Sequence, residues 1–289
     1  MDAIISKADR AQVLVQALPY IQQYYNRVVV IKYGGHAMEN EELKAKVMED
    51  IVLLQLVGVR VVLVHGGGPD ISEVMDKMGV ESRFVNGLRV TDRETAAIAQ
   101  MVLSGKVGKS LVNLIEATGG RAMGICGIDG RMVEAKMKDP DLGYVGEITH
   151  VNTQPIYDLI ERGYIPVISS VGCDAEGNVY NINADTMAAQ ISGAMGAECL
   201  ISMPDVPGIM LDPADPASLV HVADINEATE LFRRGVISGG MIPKVESCIE
   251  ALLCGVHKVF ILDGRIAHSI LLEMLTDEGS GTMMVGEKQ

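Results

Sequence analysis

The chain has 289 residues, 48% of them hydrophobic, and a formal net charge of -14. That length allows one large α/β domain or two lobes around a sizeable core. No apolar run approaches the roughly 18 residues that cross a bilayer, and the acidic balance argues against a nucleic-acid partner.

The five cysteines (Cys126, Cys173, Cys199, Cys248, Cys254) make no CxxC pair and the six histidines no HxxxH cluster. Reduced thiols in a cytoplasmic compartment are expected, with no protein-bound transition metal. The opening Met-Asp-Ala, with mixed charges behind it, has no signal-peptide character. Residues 8–25 set Val13, Leu14, Ala17, Leu18, Ile21 and Tyr24 at helical spacing, with Pro19 placed to kink the helix. Residues 28–35 are Val-Val-Val-Ile-Lys-Tyr-Gly-Gly, a buried β-branched strand ending at Lys32 and a glycine pair. A lysine beside bare backbone amides can hold a phosphate, although a plain strand-to-helix turn has the same composition. Residues 61–69 repeat the device, so neighbouring parallel strands would make one anion-binding rim at their carboxyl ends.

Between the two turns, Leu43, Val47, Ile51, Leu54 and Val57 mark a helix stopping at Gly58, completing a βαβ unit. Residues 71–78 read as a helix ended by Gly79. Residues 86–92 read as a polar turn, with Thr91 or Asp92 capping a helix through Leu103, and a second helix covers 107–118. Short strands at 123–126 and 132–136 flank an Asp129-Gly130 turn, and 143–151 belongs to a hairpin. A helix at 155–162 and a strand at 164–171 follow. The second half has a helix at 186–195 capped by Asn183, a strand at 199–203 and a loop at 212–216. Beyond it come a glycine turn at 239–244 with Pro243 opening a helix, a strand at 259–263 and a helix at 269–275. A turn at 279–282 leads to a short tail. This alternation predicts a three-layer αβα sandwich with a mostly parallel central sheet, shared by two lobes that meet near 170–178.

Five motifs occur in order: Lys32-Tyr-Gly-Gly, His65-Gly-Gly-Gly-Pro, Asn86-Gly-Leu-Arg-Val-Thr-Asp, Asn181-Ile-Asn-Ala-Asp and Gly239-Gly-Met-Ile-Pro-Lys. In this the chain resembles the amino-acid kinase family along nearly its whole length, and within it the branch acting on N-acetyl-L-glutamate. The resemblance implies a carbamate kinase-like fold and transfer of the ATP γ-phosphoryl group to the substrate's side-chain carboxylate. The product would be N-acetyl-L-glutamyl 5-phosphate, in the second step of arginine biosynthesis. ATP would arrive with Mg²⁺, and no tightly bound cofactor is implied. A carboxylate is already ionised at neutral pH, so the nucleophile needs no general base.

By the same resemblance Lys32 and Lys244 would act on the transferring group, Gly35 and Gly67 would donate N–H groups, and Asp185 would pair with both lysines. Gly67, Gly68, Arg89 and Asn181 would bind the acyl-amino acid, Arg89 through its α-carboxylate. Lys32, Gly34, Gly35, Asp205, Gly240 and Lys244 would bind the nucleotide. Simpler alternatives are a surface salt bridge from Arg89 to Asp92 or Glu94, a solvated Lys244, and a first-turn carboxylate at Asp185. No GxxxxGK[ST] or GxGxxG is present. Ser202-Met-Pro-Asp205 departs from the Leu-Thr-Asp-type turn usual in the family, and Ile128 stands where a lysine is common.

The implied domains are 1–26 (a kinked oligomerisation and regulatory helix), 27–175 (acetylglutamate binding and dimerisation) and 176–289 (ATP binding). A kinked leading helix marks the arginine-inhibited type, whose dimers interlace into a homohexamer. Tyr20, His268, Glu273 and Gly279 would form the L-arginine pocket, and some relatives also bind a PII signalling protein. Alternatively the helix only caps the sheet, and His268 pairs with Glu273 on a surface helix. Rival functions are a sibling kinase acting on free glutamate, aspartate or carbamate, and a catalytically silent amino-acid-binding regulator.

Overall fold

The computed structural model describes residues 6–38 and 40–286. Two short helices come first, α1 (Lys7–Gln16) and α2 (Leu18–Tyr24). The expected single helix breaks at Ala17, and Pro19 falls in the first turn of α2, where a missing N–H leaves no helix bond unmade. β1 (Val28–Tyr33) is buried along its whole length. A 3-10 turn (Gly35–Met38), α3 (Glu41–Leu56) and β2 (Arg60–His65) follow. α4 (Gly68–Met78) begins at the second glycine turn itself, earlier than its apolar spacing indicated.

The polar turn at 86–92 is instead the end of a hairpin, β3 (Phe84–Val85) and β4 (Leu88–Arg89). Asn86 and Gly87 take φ of 49° and 79° at its tip, the Asn-Gly conformation of a tight hairpin. Two separate helices were expected next. The structure has one continuous helix, α5 (Arg93–Gln100) and α6 (Gly108–Ala117) joined by a π-helical stretch, Met101–Val107. Asp92 caps it, accepting from the Thr95 N–H at 2.7 Å.

β5 (Ala122–Cys126), β6 (Val133–Met137) and β7 (Gly146–Val151) come next, then α7 (Gln154–Glu161), β8 (Ile165–Ser169), β9 (Val171–Cys173) and β10 (Val179–Asn181). α8 (Ala184–Ala194) and β11 (Cys199–Met203) precede two elements that sequence reading missed, β12 (Val222–Asp224) and α9 (Ile225–Arg233). The remainder is α10 (Ile242–Leu253), β13 (Lys258–Ile261), α11 (Ser269–Leu275) and β14 (Thr282–Val285), a strand where the sequence pattern indicates only a short tail.

Eight strands form one sheet in the order β12-β14-β13-β11-β1-β2-β8-β5, parallel from β13 to β5 and antiparallel between β13 and β14. The two strands around Asp129-Gly130 are not hairpin partners. β5 edges the large sheet, while β6 pairs with β7 and β9 in a separate four-stranded sheet. Alternate side chains of β1 enter opposite cores. Val29 and Ile31 pack with Met48, Ile51, Leu111 and Ile270. Val28 and Val30 pack with Met187, Ile191, Val245 and Ala251. Helices cover both faces, giving the three-layer α/β sandwich that the strand and helix alternation implied. No helix among the described residues is long and apolar enough to cross a membrane.

Candidate active site

β1 lies between β2 and β11, with Tyr33 level with both His65 and Met203. The glycine turns after β1 and β2 and the 204–205 loop after β11 therefore emerge side by side at the strands' carboxyl ends. A cleft of about 210 Å³ opens there, lined by Lys32 and Asp185, by Arg89 and Phe84, and by Gly67 and Asn181.

Lys32 is buried, and its Nζ sits 2.9 Å from Asp185 Oδ1. Asp185 occupies the first turn of α8, where the helix N-terminus favours a carboxylate. Asn183 caps the same turn, accepting from the Asp185 and Thr186 N–H groups at 2.8 and 3.1 Å. Lys244 stands at the start of α10. Burial holds its pKa below the usual lysine value, and the Lys32 charge pushes it the same way, against Asp185 and Asp205. The expectation that Asp185 pairs with both lysines is corrected. Its ion pair is with Lys32, and Lys244 feels it through space. An anion placed between the two ammonium groups would relieve their repulsion.

Gly34 lets the Lys32 ammonium lie across the turn, since a Cβ there would be 3.2 Å from Nζ. Gly35 has φ +73°, and a Cβ on it would meet both Asp205 carboxylate oxygens at 2.9 Å. Gly240 sits apart from the cleft on the exposed 3-10 turn Gly239–Met241, ahead of Lys244. Gly67 is the N-cap of α4, wedged against Leu103 and Val107 of the π-helical stretch, whereas Gly68 faces open space. Asn181 lines the cleft, its backbone N–H bonded to the Tyr144 carbonyl at 2.9 Å.

The Arg89 guanidinium is buried, its hydrogen-bond partners are neutral, and the Asp76 carboxylate acts on it only through space. Nη2 donates to the Gly68 carbonyl (2.9 Å) and Ser72 Oγ (2.8 Å), Nη1 donates to Ser82 Oγ (2.8 Å), and Cζ lies 4.6 Å from the Phe84 ring centroid. Burial lowers its pKa from the ordinary arginine value. The alternative salt bridge to Asp92 or Glu94 is not what is built, because Asp92 is engaged in capping α5. A buried cation held by neutral acceptors is set up to receive an anion. Ser72 and Ser82 had no signal of their own in the sequence. His65, quoted only as part of a motif, turns out to be a buried ring beneath the second glycine turn.

The residues assigned to an arginine pocket fall into two groups. Glu273 Oε2 accepts from the Ser280 N–H at 2.6 Å, beside Gly279, and α11 packs on α2, which carries the half-buried Tyr20. His268, at the opposite end of α11, does not pair with Glu273. Its Nδ1 is 2.5 Å from Oδ1 of Asp50 on α3. Burial raises the Asp50 pKa to about 6, against the opposing bond from His268.

The family model described as "Amino acid kinase family" matches residues 27–263. The chain belongs to that family. Among curated amino acid kinases, it is 56% identical to an acetylglutamate kinase of Brachyspira hyodysenteriae over 281 residues, covering 96% of this chain and 98% of that one. An acetylglutamate kinase of Clostridium beijerinckii is 51% identical over 284 residues, covering 97% and 100%. Among solved structures, N-acetylglutamate synthase from Neisseria gonorrhoeae, complexed with coenzyme A and N-acetyl-glutamate, superposes with a TM-score of 0.84 at 25% identity. The match covers 96% of this amino acid kinase and 64% of the synthase chain.

Proposed function

We propose that this protein phosphorylates the side-chain carboxylate of N-acetyl-L-glutamate with ATP, forming N-acetyl-L-glutamyl 5-phosphate for arginine biosynthesis. The observation that carries this reading is one cleft lined both by an arginine whose hydrogen-bond partners are all neutral and by a lysine–aspartate pair. Arg89 receives the α-carboxylate through its planar fork, and Asn181 with the Gly67–Gly68 turn receives the acetamide. The side-chain carboxylate then points toward Lys32, where the γ-phosphoryl group arrives. Lys32 and Lys244 spread the charge of the transferring group, Asp185 holds Lys32 in place, and Gly35 and Gly67 offer N–H donors. The nucleotide lies over Gly34, Gly35 and Asp205 and approaches Gly240. Mg²⁺ reaches the site on the phosphates.

Residues 27–175 serve the acyl-amino acid and dimerisation, and 176–289 the nucleotide, in a cytoplasmic compartment that keeps the five free cysteines reduced. Regulation belongs to the same reading. α1 exposes Val13, Leu14 and Val15, and α2 exposes Leu18, apolar residues that interlaced dimers in a homohexamer would cover. L-Arginine binds between α2 and α11, its guanidinium on Glu273 near Gly279, with Tyr20 closing the pocket and His268 toward its α-carboxylate. A PII-type protein is a further candidate partner, to be sought by pull-down from the same preparation.

The deciding assay is ADP release with Mg²⁺-ATP and N-acetylglutamate, glutamate, aspartate or carbamate supplied singly. Turnover with N-acetylglutamate alone supports the proposal. Turnover with another acceptor assigns a sibling kinase, and none with any assigns a silent regulator. Removing residues 1–26 is expected to leave an active dimer that arginine no longer inhibits. A full-length dimer indifferent to millimolar arginine would overturn the regulatory half.

A further inference from the structure

His65 ends β2 directly before the second glycine turn and is fully buried. Its Nδ1 lies 2.9 Å from the Gly66 carbonyl oxygen. A carbonyl can only accept, so Nδ1 carries the proton and Nε2 is left as an acceptor. Nε2 has no partner among the described residues and faces Gly108, where a Cβ would come within 3.1 Å. Burial pushes the imidazole down to about 4, so the ring is neutral at neutral pH. A bare buried acceptor is unfavourable, a cost set against the bond that the other nitrogen makes.

No peptide bond among the described residues is cis. In a trans planar unit the C=O and N–H point in opposite directions. With the Gly66 oxygen turned inward onto the ring, the N–H of Gly67 is turned outward, into the cleft that Gly66, Gly67 and Gly68 line. No described residue accepts a hydrogen bond from it. Between two glycines a peptide plane has little steric reason to keep one orientation. If it flipped, the donor would be withdrawn and a carbonyl oxygen would face the incoming anion.

We propose that His65 is a positioning residue, whose Nδ1–H locks the Gly66–Gly67 peptide so that the Gly67 N–H is aimed at the transferring phosphoryl group. The proposal rests on reading this cleft as a phosphoryl-transfer site. It explains why an imidazole is buried where an apolar side chain would pack with no unpaired nitrogen.

Two substitutions of nearly equal shape test it. The amide nitrogen of His65→Asn can stand where Nδ1 stands, whereas His65→Leu fills the same space with no donor. In assays with Mg²⁺-ATP and N-acetylglutamate, His65→Asn should keep kcat within about threefold of wild type. His65→Leu should lose at least tenfold in kcat while both KM values stay within about twofold, because a misaimed donor acts on the transition state. Equal kcat for the two variants overturns the proposal, as does a loss in His65→Leu carried by KM alone. If His65→Leu does not fold, His65→Asn still decides, since a fall of more than tenfold in its kcat refutes the lock. A wild-type protein active on a different amino acid overturns the substrate assignment alone, and the same pair of variants is then read on that substrate.

Discussion

The two glycine turns look alike in sequence and do different work. The turn after β1 is set among charges, with the Lys32 ammonium beside Gly34 and the Asp205 carboxylate against Gly35. The turn after β2 is backed by neutral groups, with the His65 ring below and Leu103 and Val107 at its side, and meets a charge only at Gly68, whose carbonyl accepts from Arg89. A charged backing suits a polyanion that comes and goes, since the counter-charges hold the empty site together. A neutral, close-packed backing suits a site that must fix the shape of a small acyl group and the direction of one N–H. Composition alone does not separate the two turns; the neighbours supplied by distant segments do.

The largest effect should come from stripping charge at the first turn. Lys32→Ala, or Lys244→Ala beside it, is expected to lower kcat on the order of 10²-fold or more with smaller changes in KM. Steady-state kinetics check this, and near-normal turnover in either variant would remove that lysine from the phosphoryl site. Next in size is a paired glycine test. Gly35→Ala puts a Cβ onto Asp205 at a positive φ and should cost at least about 1 kcal/mol of stability along with tenfold in kcat/KM for ATP. Gly68→Ala meets no neighbour and should melt within a few degrees of wild type. Similar melting of the two variants would mean that the turns are not built differently.

Arg89→Lys keeps the charge but loses the fork held by Ser72 and Ser82. KM for N-acetylglutamate should rise about tenfold while KM for ATP hardly moves. An equal rise in both would place Arg89 elsewhere than on the acyl-amino acid. The smallest effect is on pH dependence. His65 titrates near 6.5 when unfolded and at about 4 when folded, so the unfolded chain binds the extra proton. Its contribution is full above pH 6.5 and is lost as pH falls toward 4, by on the order of 3 kcal/mol. Asp50, raised to about 6, runs the other way, its contribution being lost as pH rises through that value. Urea unfolding between pH 4 and 6.5 in an Asp50→Asn background should show stability climbing with pH, and adding His65→Asn should flatten the climb.

The elements that bracket the cleft were legible because they are written in residues that leave little choice. Val-Val-Val-Ile before Lys32 can be little other than a buried strand, and Asn183 two residues before Asp185 is a helix cap. What escaped was short or depended on distant partners. β12 and β14 have only three and four residues; β12 becomes a strand by pairing with β14 at the sheet's edge, and β14 by lying between β12 and β13. The Asn86-Gly87 hairpin was missed although the dipeptide announces it, because β3 and β4 are two residues each. The turn at Asp129-Gly130 was misjudged because its flanking strands join different sheets. The π-helical stretch has no sequence signature, and the neutral cradle of Arg89 gathers Ser72 and Ser82 from separate segments.

The strand order also sets a timetable for synthesis. Val29 of β1 is in register with Cys199 of β11, about 170 residues downstream, so at about 5–20 residues per second one edge of β1 waits roughly ten to thirty seconds for its partner. During that interval the nascent chain carries Val-Val-Val-Ile on an open strand edge, the composition most prone to pair with another chain. The N-terminal half cannot shield this edge by itself, because β2 protects only the other side. A strand buried along its whole length in the finished enzyme is thus open at one edge on the ribosome, and yield should depend on chaperone supply and growth temperature more than the stability of the mature protein suggests.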